Sequence, residues 1–178
     1  MLRLFVGIEF PPELKLQLSM LETGIPGAKW VDAGNLHLTL RFIGEVDEGV
    51  AADIDAALAR VRARRLTLKL AGTGVFGGGR PRALWVGVER HPDLVALRDK
   101  IEQALIRIGL EPEQRKFAPH VTLARLREPA LGPLGDFLAA HAQFRAAPLP
   151  VERFSLIASF PTKAGSIYED QADYPLSG

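Results

Sequence analysis

A chain of 178 residues with 47% apolar and 24% charged side chains is long enough to bury a core and has the balance of an ordinary globular protein. Zero cysteines exclude a disulfide framework, a thiolate nucleophile and cysteine-ligated zinc. No apolar run reaches the ~18 residues that span a bilayer, so a cytoplasmic location is the default expectation. A net charge of +1 excludes a broad electrostatic coat for nucleic acid and leaves only a local grip through a few arginines.

The first residues, Met1 to Ile8, begin like a signal peptide, but Glu9 and Pro11-Pro12 interrupt before any small-residue cleavage site. Residues 2–9 therefore read as a buried strand. Pro11-Pro12 opens an amphipathic helix to about residue 22, with Leu14, Leu16, Leu18 and Leu21 as its apolar residues. Short strands over residues 28–31 and 36–42 flank the turn Asp32-Ala33-Gly34-Asn35. Val50, Ile54, Leu58 and Val61 recur at helical spacing and predict a helix over residues 47–63. Residues 66–70 alternate as a strand, and Gly77-Gly78-Gly79 leads into another over residues 83–88. Pro92 starts the clearest helix, carried by Leu94, Leu97, Ile101, Leu105 and Ile108 and ended by Gly109. A strand over residues 120–126, a short helix over 131–140, a strand over 151–160 and a short tail strand over 166–169 complete the order. Helices connecting more numerous strands predict an α+β or α/β fold with helices packed on sheets.

One internal echo matters. Leu36-His37-Leu38-Thr39-Leu40-Arg41 and Pro119-His120-Val121-Thr122-Leu123-Ala124 share His-apolar-Thr-Leu, 83 positions apart. With four histidines and six threonines in the chain, about 0.13 His-x-Thr matches are expected by chance, so two are a poor coincidence. Side chains alternate across a strand, which puts His37 with Thr39 on one face and Leu38 with Leu40 on the other. His120 and Thr122 share a face in the same way. Two such strands facing a cleft offer a proton acceptor, a proton donor and hydroxyls for non-bridging oxygens, the groups that a phosphodiester hydrolysis needs. Histidine titrates near 6.5, so one ring can be neutral and the other charged close to neutrality.

At these residues the chain resembles the two-histidine (2H) phosphoesterase superfamily, and within it the RNA 2',3'-cyclic phosphodiesterases once called 2'-5' RNA ligases. Arg3-Leu4-Phe5-Val6, Trp30-Val31, residues 35–44, residues 81–88 and residues 117–125 carry the likeness, which covers nearly the whole chain. The resemblance implies an α+β bilobal duplicated fold over residues 1–178, with two antiparallel sheets facing a central cleft and helices outside. It implies a metal-free site that hydrolyses an RNA 2',3'-cyclic phosphate to a 2'-phosphate end without a cofactor. By position, His37 would donate a proton to the departing 3' oxygen and His120 would be the base acting on water. Thr39, Thr122 and Arg125 would hold the phosphate.

Strict alternation contradicts one of these assignments. It places Ala124 on the catalytic face, Arg125 opposite, and Arg41 on the face of His37. Either the second strand ends or bulges after Leu123 and so re-aims Arg125, or Arg41 is the better phosphate ligand. The resemblance favours Arg125 and keeps Arg41 as a neighbour of the site.

Phe117 and Phe42 flank the motifs; both read first as core, with Phe117 the better base-stacking neighbour. His91 reads as an exposed helix start and His141 as a helix-end residue. The triple glycine reads as a hairpin because no Gly-Lys-Ser/Thr follows it. Arg60, Arg62, Arg64 and Arg65 read as a solvated helix end. The expected partner is an RNA terminus or cyclic nucleotide, with no membrane, no protein partner and a monomeric state. The rival readings are 2'-5' ligation or another cyclic or 2'-5' diester at the same site, a non-catalytic RNA-end binder, and last a histidine metal site, for which the carboxylates are wanting.

Overall fold

The computed structural model describes residues 1–178. Strand β1 (Leu2–Glu9) is buried from Leu4 through Ile8 without alternation, as a strand covered on both faces must be. Helix α1 (Pro12–Ser19) starts on Pro12, whose missing N–H costs nothing in a first turn. It ends three residues earlier than its apolar residues predict. Leu14 and Leu18 are buried four apart, while Leu16 lies on the solvent side, 61% exposed. Strand β2 (Ala28–Trp30) and a single 3-10 turn (Ala33–Asn35) lead into β3 (His37–Val46).

Helix α2 (Glu48–Ala59) is capped by Asp47, whose carboxylate accepts the Val50 N–H at 2.8 Å. The predicted strand over 66–70 divides into β4 (Leu66–Leu68) and β5 (Leu70–Phe76). Strand β6 (Ala83–Val88), helix α3 (Pro92–Arg107), strand β7 (His120–Leu126) and helix α4 (Leu131–Ala140) follow their predicted spans closely. The predicted strand over 151–160 divides into β8 (Leu149–Val151) and β9 (Arg153–Thr162), and the tail strand β10 (Gly165–Pro175) runs eleven residues.

Two four-stranded antiparallel sheets result, in the orders β10-β9-β1-β3 and β2-β7-β6-β5, with β4 and β8 paired separately. The fold is α+β, as the resemblance implies. The chain traces one pattern twice: β1-α1-β3-α2-β5, then β6-α3-β7-α4-β9. The third strand of each repeat crosses over. β5 pairs with β6 of the second repeat, and β9 pairs with β1 of the first. One contiguous cluster of 36 buried residues runs through both sheets and takes Leu14, Ile54, Leu97 and Leu134 from the four helices. The two sheets meet along β3 and β7, the strands that carry the His-x-Thr motifs.

Candidate functional site

Both motif strands bulge at the same step. Between β1 and β3 the pairing passes from Gly7–Thr39 to Val6–Arg41 and skips Leu40. Between β6 and β7 it passes from Trp85–Thr122 to Leu84–Ala124 and skips Leu123. An extra residue reverses the side-chain parity beyond it. Leu40 and Arg41 are therefore both buried, and Phe42 emerges on the face of His37 and Thr39. Leu123 and Ala124 are both buried, and Arg125 emerges beside His120 and Thr122. Of the two ways of re-aiming Arg125, a strand end or a bulge, β7 uses the bulge and continues to Leu126, and its counterpart on β3 overturns the placement of Arg41.

Arg41 lies beneath the site and not in it. Only 7% exposed, it pairs with Glu102 of α3 through Nε at 3.1 and 3.2 Å, and donates to the Phe42 carbonyl at 2.6 Å and to the Glu111 carbonyl. Phe117 also falls outside the cleft lining. Its ring packs on the core with the Arg98 guanidinium 5.6 Å above it, while Phe42 joins Phe5, Phe76 and Tyr168 in the cleft lining.

The cleft encloses about 460 Å³ and is lined by His37, Thr39, His120, Thr122 and Arg125, the five residues the sequence brings forward. The two imidazoles are oriented alike. His37 Nδ1–H donates to the Asn35 carbonyl at 2.7 Å, and His120 Nδ1–H donates to the Ala118 carbonyl at 2.6 Å, each two residues upstream. That fixes the tautomer and leaves Nε2 of each ring for chemistry. Thr39 Oγ1 is 2.7 Å from His37 Nε2, so in the neutral ring the hydroxyl donates to it.

Gly7, paired with Thr39, keeps this corner open. A Cβ there would stand 2.8 Å from the Leu38 carbonyl and 3.4 Å from the His37 ring. Phe5 packs against His37 at 4.7 Å between ring centroids and Tyr168 meets it edge-on at 5.3 Å. Phe76 meets His120 edge-on at 4.7 Å. Burial among these rings pushes the His37 pKa below its ordinary 6.5. The Asn35 carbonyl opposes that shift, and His120 and Lys15 add to it.

Sequence reasoning gave no site role to most of the charge in the cleft. Arg3, Arg82 and Arg115 line it with Arg125, and no aspartate or glutamate does. Arg82 stands just before β6, whose Ala83 pairs with Arg125, a signal available only once the register is known. Arg115 sits in a loop with no periodicity to read. Asn35, whose side chain donates to the Ser166 carbonyl at 2.6 Å, ties β10 to the cleft.

Elsewhere His91 caps α3 with Nδ1 accepting the Asp93 N–H at 3.1 Å, and His141 follows α4 against Phe137. The triple glycine is the β5–β6 hairpin loop, with Gly77 at φ 114° and Gly78 at φ 54°. Arg60 and Arg62 line a groove between α2 and α3, apart from the cleft. No helix is long and apolar enough to cross a membrane.

Duplicated His-x-Thr strands on either side of one arginine-lined cleft are what the two-histidine phosphoesterase class requires, and a sequence model of that class agrees. The model of the 2'-5' RNA ligase superfamily matches residues 10–159, most of the chain, and the chain belongs to that family.

The chain is 40% identical over 158 residues to an RNA 2',3'-cyclic phosphodiesterase of Aeropyrum pernix, covering 87% of this chain and 89% of the relative. It is 33% identical over 177 residues to the protein of the same name from Thermotoga maritima, covering 94% and 92%. Among solved structures, a Thermus thermophilus protein superposes with a TM-score of 0.81 at 28% identity, covering 99% of this chain and 98% of that one. E. coli LigT complexed with 3'-AMP superposes with a TM-score of 0.80 at 27% identity, covering 99% of both chains.

Proposed function

We propose that this chain opens the 2',3'-cyclic phosphate at an RNA end by metal-independent acid–base catalysis, leaving a 2'-phosphate and a free 3'-hydroxyl. The observation that carries the reading is the matched pair of imidazoles. Each is anchored by Nδ1 to a backbone carbonyl and lines one cleft that holds four arginines and no carboxylate. Such a lining suits a phosphate anion and gives a metal ion only two nitrogen ligands. The names of the Aeropyrum and Thermotoga relatives support the activity.

In the step itself a water oxygen bonds to phosphorus, one histidine takes the water proton, the P–O3' bond breaks, and the other histidine protonates O3'. Thr39, Thr122 and Arg125 hold the non-bridging oxygens as charge builds on them. Following the family positions, His37 is the donor and His120 the base. A bound phosphate supplies the negative charge that restores a proton to His37.

A second reading exchanges the two roles, and the depressed His37 pKa favours it, since a ring neutral in the empty cleft is ready to act as base. A substrate with sulfur at the 3' leaving position separates them, because thiolate departs without a proton. It rescues the variant that lacks the acid and does nothing for the variant that lacks the base.

The primary test is product analysis on an oligonucleotide ending in a 2',3'-cyclic phosphate, with EDTA present. The expected product is the 2'-phosphate at an undiminished rate. A 3'-phosphate product, or turnover that returns only with added divalent metal, refutes the proposal.

A further inference from the structure

The two repeats treat the segment ahead of their histidine strand differently. Before His37, residues Ala28–Trp30 form β2 and pair with the far half of β7. The counterpart positions before His120, 83 residues on, are Glu111, Pro112 and Glu113, and no strand forms there. Pro112 has no N–H to give to a ladder. The outer edge of β3 is accordingly left without a neighbouring strand.

Arg41 takes over the missing contact. One guanidinium reaches both the Phe42 carbonyl and the Glu111 carbonyl, which seats the foot of the loop beside Phe42. The other foot is held where Arg90 donates to the Phe117 carbonyl and Arg98 covers the Phe117 ring. Between these feet the loop carries Arg115 into the cleft lining with its side chain 83% exposed. Glu113, outside the lining, accepts the Arg115 backbone N–H at 3.1 Å, and its carboxylate stands 3.7 Å from Arg115 Nε in a surface pair that a phosphate can replace.

The cleft cations therefore fall into two groups. Arg125 lies on β7 and Arg82 just ahead of the neighbouring β6, where the Leu126 N–H bonds to the Arg82 carbonyl at 2.8 Å. Arg3 and the loop foot lie by Phe42, with the Arg3 guanidinium 5.6 Å from its ring centre and 40% of Phe42 still exposed. One phosphate held by two threonines and Arg125 does not need the second group.

We propose that Phe42, Arg3 and Arg115 form a subsite for the nucleotide preceding the cyclic end. Its base stacks on Phe42 and its anionic phosphodiester lies between Arg3 and Arg115, so an oligonucleotide end is preferred over a cyclic mononucleotide. The proposal rests on the cleft receiving a phosphate end, and goes beyond it by placing the neighbouring unit.

Binding of non-reactive probes tests it apart from catalysis. Titrations compare a nucleoside 2'-phosphate with a dinucleotide ending in a 2'-phosphate, on the wild type, Arg115→Ala and Phe42→Leu. The wild type is expected to bind the dinucleotide about tenfold tighter or more, from base stacking and the added phosphate contact. Each variant is expected to shrink that ratio severalfold. Arg115→Ala also lowers the slope of log affinity against log salt by about 0.7, one phosphate contact on a single strand. A wild-type ratio near one, no measurable binding of the dinucleotide, or an unchanged ratio in both variants overturns the subsite. Failure to open any cyclic end, with the ratios as expected, overturns the proposed activity alone.

Discussion

Replacing Arg41 by methionine keeps most of the side-chain volume and removes the charge from a buried network. The carboxylate of Glu102, 9% exposed, loses both contacts from Arg41 Nε, and the carbonyls of Phe42 and Glu111 lose their donors. Breaking a buried pair from one side costs about 3–5 kcal/mol because the other charge is stranded. Here Arg98 still reaches Glu102 at 3.2 Å, so the lower end applies and the expected loss is about 3 kcal/mol.

The double variant Arg41→Met/Glu102→Leu strands no carboxylate, and Arg98 retains Asp99 at 3.5 Å. It should recover about 1–2 kcal/mol of that loss. Equilibrium urea unfolding of the wild type, both single variants and the double variant measures these values. A single variant within about 1 kcal/mol of wild type, or a double variant as unstable as the sum of its parts, refutes the account of Arg41 as a buried anchor.

His37→Ala and His120→Ala should each lower the rate of ring opening by about 10²–10⁴, and the double variant by much less than the product, as steady-state assays on a cyclic-ended oligonucleotide will show. Because the folded pKa of His37 lies below 6.5, the unfolded chain binds the extra proton between the two values. Stability is therefore complete above that pH and declines as the pH falls through it, and His37→Asn should flatten the decline in denaturation series run across acid pH. Gly77→Ala forces a Cβ to within 2.2 Å of the Arg80 carbonyl at a positive φ and should lower stability by about 2 kcal/mol in thermal or urea unfolding. Gly79→Ala meets nothing within 4 Å and should change little in the same assay.

What the sequence revealed depended on how the side chains report their surroundings. β6, β7 and α4 were legible nearly to the residue because apolar runs there are bounded by proline, glycine or histidine. β10 was read as four residues and is eleven, since its Glu169, Asp170, Gln171 and Asp173 belong to an edge strand with a solvated face and leave no apolar alternation. The five residues carried by the motifs and the resemblance lie together. Arg41 was misplaced because parity counting assumes an unbroken ladder, and neither Leu40-Arg41 nor Leu123-Ala124 marks the bulge that breaks it. The same blind spot hid Phe42. Arg3, Arg82 and Arg115 converge only through tertiary packing, which no local pattern announces.

The crossing of β5 and β9 has a bearing on ancestry and on motion. A half-length chain carrying one repeat would close neither sheet by itself; its third strand would seek another molecule. Two identical copies exchanging that strand would restore both sheets about a dyad, with one His-x-Thr strand from each copy at the shared groove. The present chain holds the same strand exchange within one molecule, between two repeats joined in tandem. Since every sheet contains strands from both repeats, the halves cannot swing apart without tearing backbone hydrogen bonds. His37 and His120 stand on different sheets, so their spacing is set by how those sheets pack where β3 meets β7, with β2, paired to β7, leading directly into β3.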